Sequence, residues 1–284
     1  MQVQRPETEK RVSITAIDGG ERQLRDDVVA MEEPMEVRIV FGPEGNRKDR
    51  SLAITMRTPD FDFELAAGFL LTEGIIHSPQ DISEFEFCGP VAEGREYGNI
   101  VRVKLSSDVE LDVKSFQRHF YTTSSCGVCG KGSLDALSTS GLKRCESDDL
   151  RVEGGLIREL PDRLRQRQSV FHKTGGIHAA GLFSLNGDLV LIREDVGRHN
   201  ALDKLLGNRL IAGELPLSSS ILAVSGRASF ELLQKALVGR IPVMVAVGAP
   251  SSLAVDLAGE FGMTLIGFAS ESRFNIYTHP ERIV

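Results

Sequence analysis

The sequence holds no apolar run approaching the roughly 18 residues that a membrane-spanning helix needs. Its opening stretch, MQVQRPETEKR, has neither an apolar segment nor a small-residue cleavage site. It does not read as a secretory signal, and a cytoplasmic location without membrane partners is expected. A basic surplus is missing as well: 33 Lys and Arg face 40 Asp and Glu, a net charge of −7. General affinity for nucleic acid needs a basic surface and is excluded, whereas a local basic pocket for one anionic ligand is not. Cysteines are few: Cys88, Cys126, Cys129 and Cys145. A chain of 284 residues needs no disulfide staples. In a reducing compartment these thiols should be inert, metal-bound or reactive. Neither a Walker A sequence nor a GxGxxG turn after a strand occurs, so nucleotide hydrolysis is not indicated.

What is present is an ordinary globular balance, 41% hydrophobic and 26% charged. Residues 1–10 are polar and read as a loose segment. Residues 11–113 read as a β-rich part with one or two helices. VSITAI (12–17), MEVRIV (35–40), SLAITMRT (51–58), SEFEFC (83–88) and NIVRVKL (99–105) carry strand patterns. Asp60 or Asp62 is placed to cap a helix through FELAAGFLLTEG. Residues 114–142 hold a mobile thiol-bearing loop and a following helix. Residues 143–284 read as an α/β core, entered through a connection at 143–169 that Gly154, Gly155 and Pro161 break. Asn186-Gly187 between apolar runs predicts a hairpin. LVLI (189–192), ILAVSG (221–226) and PVMVAVGA (242–249) each lead through a polar turn into a helical pattern. Such near-continuous apolar strands predict a largely parallel sheet covered on both faces.

Ligands of open α/β sheets sit beyond the carboxyl ends of the strands. Three turns occupy those ends. The first carries Asp195, Gly197, Arg198, His199 and Asn200, the second Ser225, Gly226, Arg227 and Ser229, the third Ala249, Ser251 and Ser252. Glycine admits close approach, serine supplies donors, and helix N-termini with arginine suit phosphate. Ordinary turn and capping chemistry explains any one of them. Their succession, with Arg in two of them, leaves both readings open: a pocket for a phosphorylated, nucleotide-like ligand, or capping chemistry repeated three times. His172, His178 and His199 could serve acid–base work or merely donate hydrogen bonds.

TTSSCGVCGK (122–131) places Cys126 and Cys129 two residues apart between glycines, with Lys131 nearby to favour thiolate. Half a zinc site, a redox pair and a sulfur-transfer loop all remain open on spacing alone. A deaminase zinc centre is rejected, because no Pro precedes Cys126 and no Glu follows His178 at the required step.

TPDFDFELAAGFLLTEGII (58–76), SSCGVCGKGS (124–133), TGGIHAAGLF (174–183), REDVGRHNALDK (193–204), VSGRASFELLQKA (224–236) and GAPSSLAVDLAGEFGMTLIGF (248–268) together resemble the formate dehydrogenase accessory sulfur carriers of the FdhD family. The resemblance runs from about residue 30 to the C-terminus and implies several things. The fold would be α/β with a cytidine-deaminase-like three-layer core and an additional N-terminal β-rich part, and the chain would be a homodimer. The protein would take persulfide sulfur from a cysteine desulfurase. It would pass that sulfur to the molybdenum (or tungsten) bis-guanine-dinucleotide cofactor before formate dehydrogenase receives it, with GDP as a surrogate ligand. Cys126 would bear the persulfide and Cys129 would assist. Phe268, Ala269, Ser270, Glu271, Ser272 and Arg273 would match the family's C-terminal cofactor-binding segment, though FASESR departs from its Arg- and Gly-containing versions. His178 and the three turns would complete the pocket. A cofactor-holding chaperone without sulfur chemistry and a structural zinc protein are the competing classes.

Overall fold

A computed structural model describes residues 7–91, 96–109, 142–145 and 149–284. The chain starts with a hairpin, β1 (Glu9–Asp18) and β2 (Glu21–Ala30), paired only with each other. The turn-rich Gly19 and Gly20 both take positive φ there. β1 begins before the apolar pattern of 12–17, and β2 is a strand that its charged sequence, ERQLRDDVVA, conceals.

β3 (Glu33–Phe41), β4 (Lys48–Arg57), β5 (Ile82–Cys88) and β6 (Ile100–Leu105) form a four-stranded sheet in the order β4-β3-β6-β5. β3 alternates strictly, so Met35, Val37, Ile39 and Phe41 enter the core while the residues between them face outward. α1 (Asp62–Thr72) packs on that inner face. Neither expected aspartate caps α1 with its side chain. Phe61 is the N-cap, in a left-handed conformation. Asp62 instead receives Arg57 Nε at 2.9 Å and Nη2 at 2.8 Å, a bidentate pair sealed in the interior.

The second sheet has six strands in the order β12-β11-β10-β9-β7-β8. β7 (His178–Ser184) and β8 (Leu189–Asp195) are the expected hairpin, with Gly187 at φ 84° closing its turn. β9 (Ser220–Val224), β10 (Val243–Ala246) and β11 (Thr264–Gly267) run parallel, and β12 (Asn275–Thr278) lies antiparallel to β11. The sheet is thus mixed, not largely parallel. Only the strands joined through helices run together, while the two tight returns reverse direction.

Alternate residues of the parallel strands feed two cores. Leu222, Val224, Met244 and Leu265 face α4 (Arg198–Ile211), α5 (Phe230–Val238) and α6 (Ser252–Glu260). Ile221, Ala223, Val243, Val245 and Ile266 face α2 (Gly154–Gln166). A short α3 (Ser169–Thr174) follows α2. The glycines and proline that suggested a broken connection lie inside α2: Gly154 and Gly155 open it, and Pro161 sits within it. Ile157, Leu160 and Leu164 are fully enclosed on its inner face, and that burial outweighs the roughly 3 kcal/mol that an interior proline costs. No described helix is long and apolar enough to cross a membrane.

Candidate functional site

The carboxyl ends of β8, β9, β10 and β11 meet along one rim. β7 runs the other way, so its first residue, His178, arrives at the same rim opposite Asp195. Ser225 N donates to Ala179 O at 3.0 Å, and Ala179 N returns a bond to Ser225 Oγ at 2.9 Å. The next turns are joined backbone to backbone. Gly248 N donates to Gly226 O, Ala228 N to Ala249 O, and Ser251 N to Ala228 O. Phe268 N then donates to Gly248 O and Ala269 N to Ala246 O. The 225–229 and 248–252 turns and the 268–273 segment therefore stand side by side, with 248–252 in the middle, and the 195–200 turn reaches the same rim from the far side of β7.

On this rim Arg227, Ser251, Ser252, Phe268, Glu271, Ser272 and Arg273 are exposed, while Ala269 is buried. Ser251 caps α6, its Oγ accepting from Ala254 N at 3.3 Å. Ser270 closes the last turn by accepting from Arg273 N at 3.3 Å and donating to Arg273 O at 3.1 Å. Gly248 and Gly267 leave no room for side chains. A Cβ on Gly248 would lie 3.0 Å from Arg227 Cα, and one on Gly267 would lie 2.9 Å from Pro250 Cδ.

At the β7 side, Arg198 and His199 open α4 and do not belong to a loop as the sequence suggests. His199 Nε2 lies 3.2 Å from Ser229 Oγ and 3.5 Å from Glu231 Oε2. Both neighbours share one ring nitrogen, so this is no catalytic relay, which needs base and orienting acid on opposite nitrogens. Burial chiefly, with nearby Arg198, Lys235 and His178 against the opposing pull of Glu231, drives the His199 pKa down to about 4. His178, half-buried, is lowered by burial and then by Arg198. Arg198 Nε is enclosed without a hydrogen-bond partner among the described residues. His172 is exposed near the end of α3.

The His199 shift has a stability consequence. Between pH 6.5 and about 4 the unfolded chain carries a proton on this imidazole that the folded chain does not. Folding stability therefore falls as pH drops through that window and is indifferent to His199 above it. His199→Gln is expected to lose less of its urea midpoint than the wild type between about pH 7 and about pH 5. Parallel losses in the two proteins would show that His199 titrates normally.

Asp195 is fully buried and its carboxylate is saturated by protein donors. Lys204 Nζ donates to Oδ2 at 2.7 Å and Thr58 N at 3.1 Å, while Gly197 N donates to Oδ1 at 2.8 Å and Asn200 Nδ2 at 3.0 Å. Lys204 Nζ also donates to Thr58 O at 2.8 Å, and Val196 N donates to Thr58 Oγ1 at 3.2 Å. Burying such a pair is tolerable only with every polar atom satisfied in this way. Thr58 and Lys204 escaped the sequence reading. A lysine inside the apolar run ALDKLLG was the available signal, because a charge on a helix's inward stripe needs a buried partner.

Cys126 and Cys129 lie outside the described residues. Cys145 is buried with Sγ 3.5 Å from Ile241 O, and Cys88 is half-buried with Sγ 3.7 Å from Ile100 O. Burial raises both thiol pKa values. Among the described residues no group of three His, Cys, Asp or Glu is gathered to hold a metal.

The model of the FdhD/NarQ family matches residues 32–284. This chain belongs to the FdhD/NarQ family. Among its relatives, the sulfur carrier protein FdhD of Streptomyces coelicolor is 49% identical over 278 residues, covering 97% of this chain and 95% of that one. FdhD of Sulfurisphaera tokodaii is 42% identical over 275 residues, covering 97% and 99%. A crystal structure of a formate dehydrogenase accessory protein from Desulfotalea psychrophila matches with a TM-score of 0.73 at 25% identity, covering 98% of this chain and all of the other. FdhD membership accounts for the long motifs from residue 58 onward. The hairpin β1–β2 precedes the stretch matched by the family model.

Proposed function

We propose that this chain is a sulfur carrier for the maturation of formate dehydrogenase. Cys126 accepts persulfide sulfur from a cysteine desulfurase, and the sulfur then passes to the bis-guanine-dinucleotide molybdenum (or tungsten) cofactor, which is the substrate. The observation that carries this reading is Cys126-Gly-Val-Cys129 inside a chain nearly half identical to FdhD sulfur carriers along almost its full length.

The chemistry balances without an outside oxidant. Cys126 thiolate attacks the terminal sulfur of the desulfurase persulfide. The S–S bond of the donor breaks, its cysteine leaves as thiolate, and Cys126 holds the persulfide. Attack by Cys129 thiolate on the Cys126 sulfur would then release the terminal sulfur at the sulfide level and leave a Cys126–Cys129 disulfide. The two electrons come from the thiols. Lys131, two residues beyond Cys129 and five beyond Cys126, supplies a cation that favours thiolate.

The rim described above suits the substrate's ends. A guanine dinucleotide presents pyrophosphates, and Arg198, Arg227 and Arg273 with Ser225, Ser229, Ser251 and Ser252 are groups that recognise them. Asp195, Gly197, Asn200 and Ala249 support that surface from below. The family resemblance also implies a cytidine-deaminase-like core and a homodimer, and the N-terminal sequence, which does not read as a secretory signal, is the ground for proposing action in the cytoplasm.

The first step is tested by mass spectrometry after incubation with desulfurase and cysteine. An adduct of about 32 Da on the Cys126 peptide is expected, absent in Cys126→Ala. The same adduct mapped to Cys88 or Cys145 would defeat the assignment.

A further inference from the structure

We propose that Asn200 is a positioning residue, whose amide ties the edge strand β4 to the head of α4 and so fixes where Arg198 and His199 point. The inference rests on the reading of this rim as the face that takes the nucleotide-tailed substrate. It goes beyond that reading by assigning the aim of the rim's cations to a residue that never touches the ligand.

Three observations support it. First, α4 lacks a side-chain cap, since its N-cap is Gly197. Its first turn is held from outside, by the Asp195 carboxylate that takes both Gly197 N and the Asn200 amide. Second, the Asn200 amide is shared between two parts of the fold. Its Nδ2 also donates to Met56 O at 2.8 Å, and its Oδ1 accepts from Thr55 Oγ1 at 3.2 Å. Both partners belong to β4, the edge of the other sheet. Third, the arrangement leaves no slack. A Cβ on Gly197 would lie 2.9 Å from Asn200 Nδ2, so the glycine is what lets the amide tuck under the turn.

Among the described residues little else holds the Arg198 side chain. Its Nε has no hydrogen-bond partner among the described residues, and its Cδ rests near Gly226 beside the His178 ring. His199 reaches across to Ser229. If the first turn of α4 swings by even a fraction of an ångström, both side chains move relative to the 225–229 turn. A side chain projected from a helix amplifies a tilt of its backbone.

The test uses Asn200→Ala together with Thr55→Val. Thr55 lies in β4, and Val keeps its shape while deleting the hydroxyl that holds Asn200. Two readouts are taken on the full-length protein: GDP affinity by calorimetry, and the titration of the His199 ring by NMR. His199 is surrounded by Arg198 on its own helix, Glu231 and Lys235 on α5, and His178 on β7, so a turn that loosens exposes the ring and raises its midpoint. Thr55→Val deletes one of the three hydrogen bonds of the Asn200 amide and Asn200→Ala deletes all three, and the GDP Kd is expected to weaken about 3-fold in the first and about 10-fold in the second. The His199 midpoint should rise in both, and Thr55→Ser should restore both values. Wild-type Kd and wild-type titration in Thr55→Val and in any Asn200→Ala that folds would overturn the proposal. So would a weakened Kd with an unmoved His199, which would make Asn200 a ligand contact. If the wild type fails to bind GDP at all, the substrate reading is what falls. The His199 titration in the same variants then decides the positioning role alone.

Discussion

Gly207→Ala is expected to unfold the protein at a temperature lower by about 6–12 °C, the shift that a loss of some 3 kcal/mol makes in a chain of this size. The reason is the crossing of α1 and α4, which lie back to back at the centre of the larger core. A Cβ on Gly207 would fall against the Glu64 carbonyl and 2.6 Å from Gly68 N. The reciprocal Cβ on Gly68 would fall against the Asp203 carbonyl and 2.9 Å from Asp203 Cα. These obstacles are backbone, so no rotamer change relieves them. The helices must part, and the residues they clamp, Leu65, Leu202, Leu205 and Leu206 among them, lose their packing. Opposing this, alanine is better than glycine inside a helix by about 1 kcal/mol. Overpacking of side chains alone typically costs about 1–3 kcal/mol, and a backbone clash lies at or above the top of that range, so destabilisation wins. Gly155→Ala is the control. Its Cβ would meet nothing within 4 Å in the first turn of α2, and its φ is not positive. That variant should be neutral or slightly more stable. A differential melting scan of the three proteins decides, and equal melting of wild type and Gly207→Ala would mean the two helices do not cross at these glycines.

Both glycines stand in stretches that read as helices from sequence, FELAAGFLL and ALDKLLGNR. A glycine in an otherwise good helical run signals a packing reason, but not which partner it meets. That is the general boundary here. Period and turn chemistry located β3, β4, β5, β6, the β7–β8 hairpin, α1 and the strand–helix succession to β11, because each is specified by residues near one another in sequence. Elements whose order depends on distant partners were concealed. Half of the β2 residues are charged, and it is held as a strand by its register with β1, Glu9 to Ala30 and Asp18 to Glu21. α2 keeps Pro161 only because a second core waits beneath it. The directions of β7 and β12 follow from tight returns, and apolar content does not report strand direction.

The rim was legible as a set of turns, and its internal economy was not. Asp195 and Asn200 were singled out beside Arg198 and His199 because they share one segment. In the fold Asp195 joins Thr58 and Lys204 in a buried group, and half-buried Asn200 bridges from its edge to β4, so that together they join the two sheets. Sequence proximity marks a turn, while the division of labour within it depends on which residues face the sheet and which face solvent.

Replacing Cys126 and Cys129 together by serine is expected to abolish formate oxidation in cells, to below about 1% of the wild-type level, while leaving the fold and its melting temperature unchanged. Serine preserves size and hydrogen bonding but removes the thiolate, whose nucleophilicity toward sulfur an alcohol cannot supply near neutral pH. Cys88 and Cys145 offer no substitute. Burial raises both their pKa values, and each sulfur lies against a backbone carbonyl of its own sheet or core. Cys126→Ser alone should match the double variant, because no persulfide forms without it. Cys129→Ser alone should separate the two roles open to that residue. If Cys129 resolves the persulfide, the single variant accumulates sulfur on Cys126 and delivers none. If it only steadies the thiolate, delivery continues at a reduced rate. The chaperone reading predicts the opposite pattern throughout: a protein that merely shelters the cofactor still yields active dehydrogenase with both thiols gone. The double variant should also bind GDP as the wild type does, since the rim is built from β7 to β11 and the helices that follow them. Loss of formate oxidation with GDP binding intact would therefore place the defect in sulfur delivery and not in holding the cofactor.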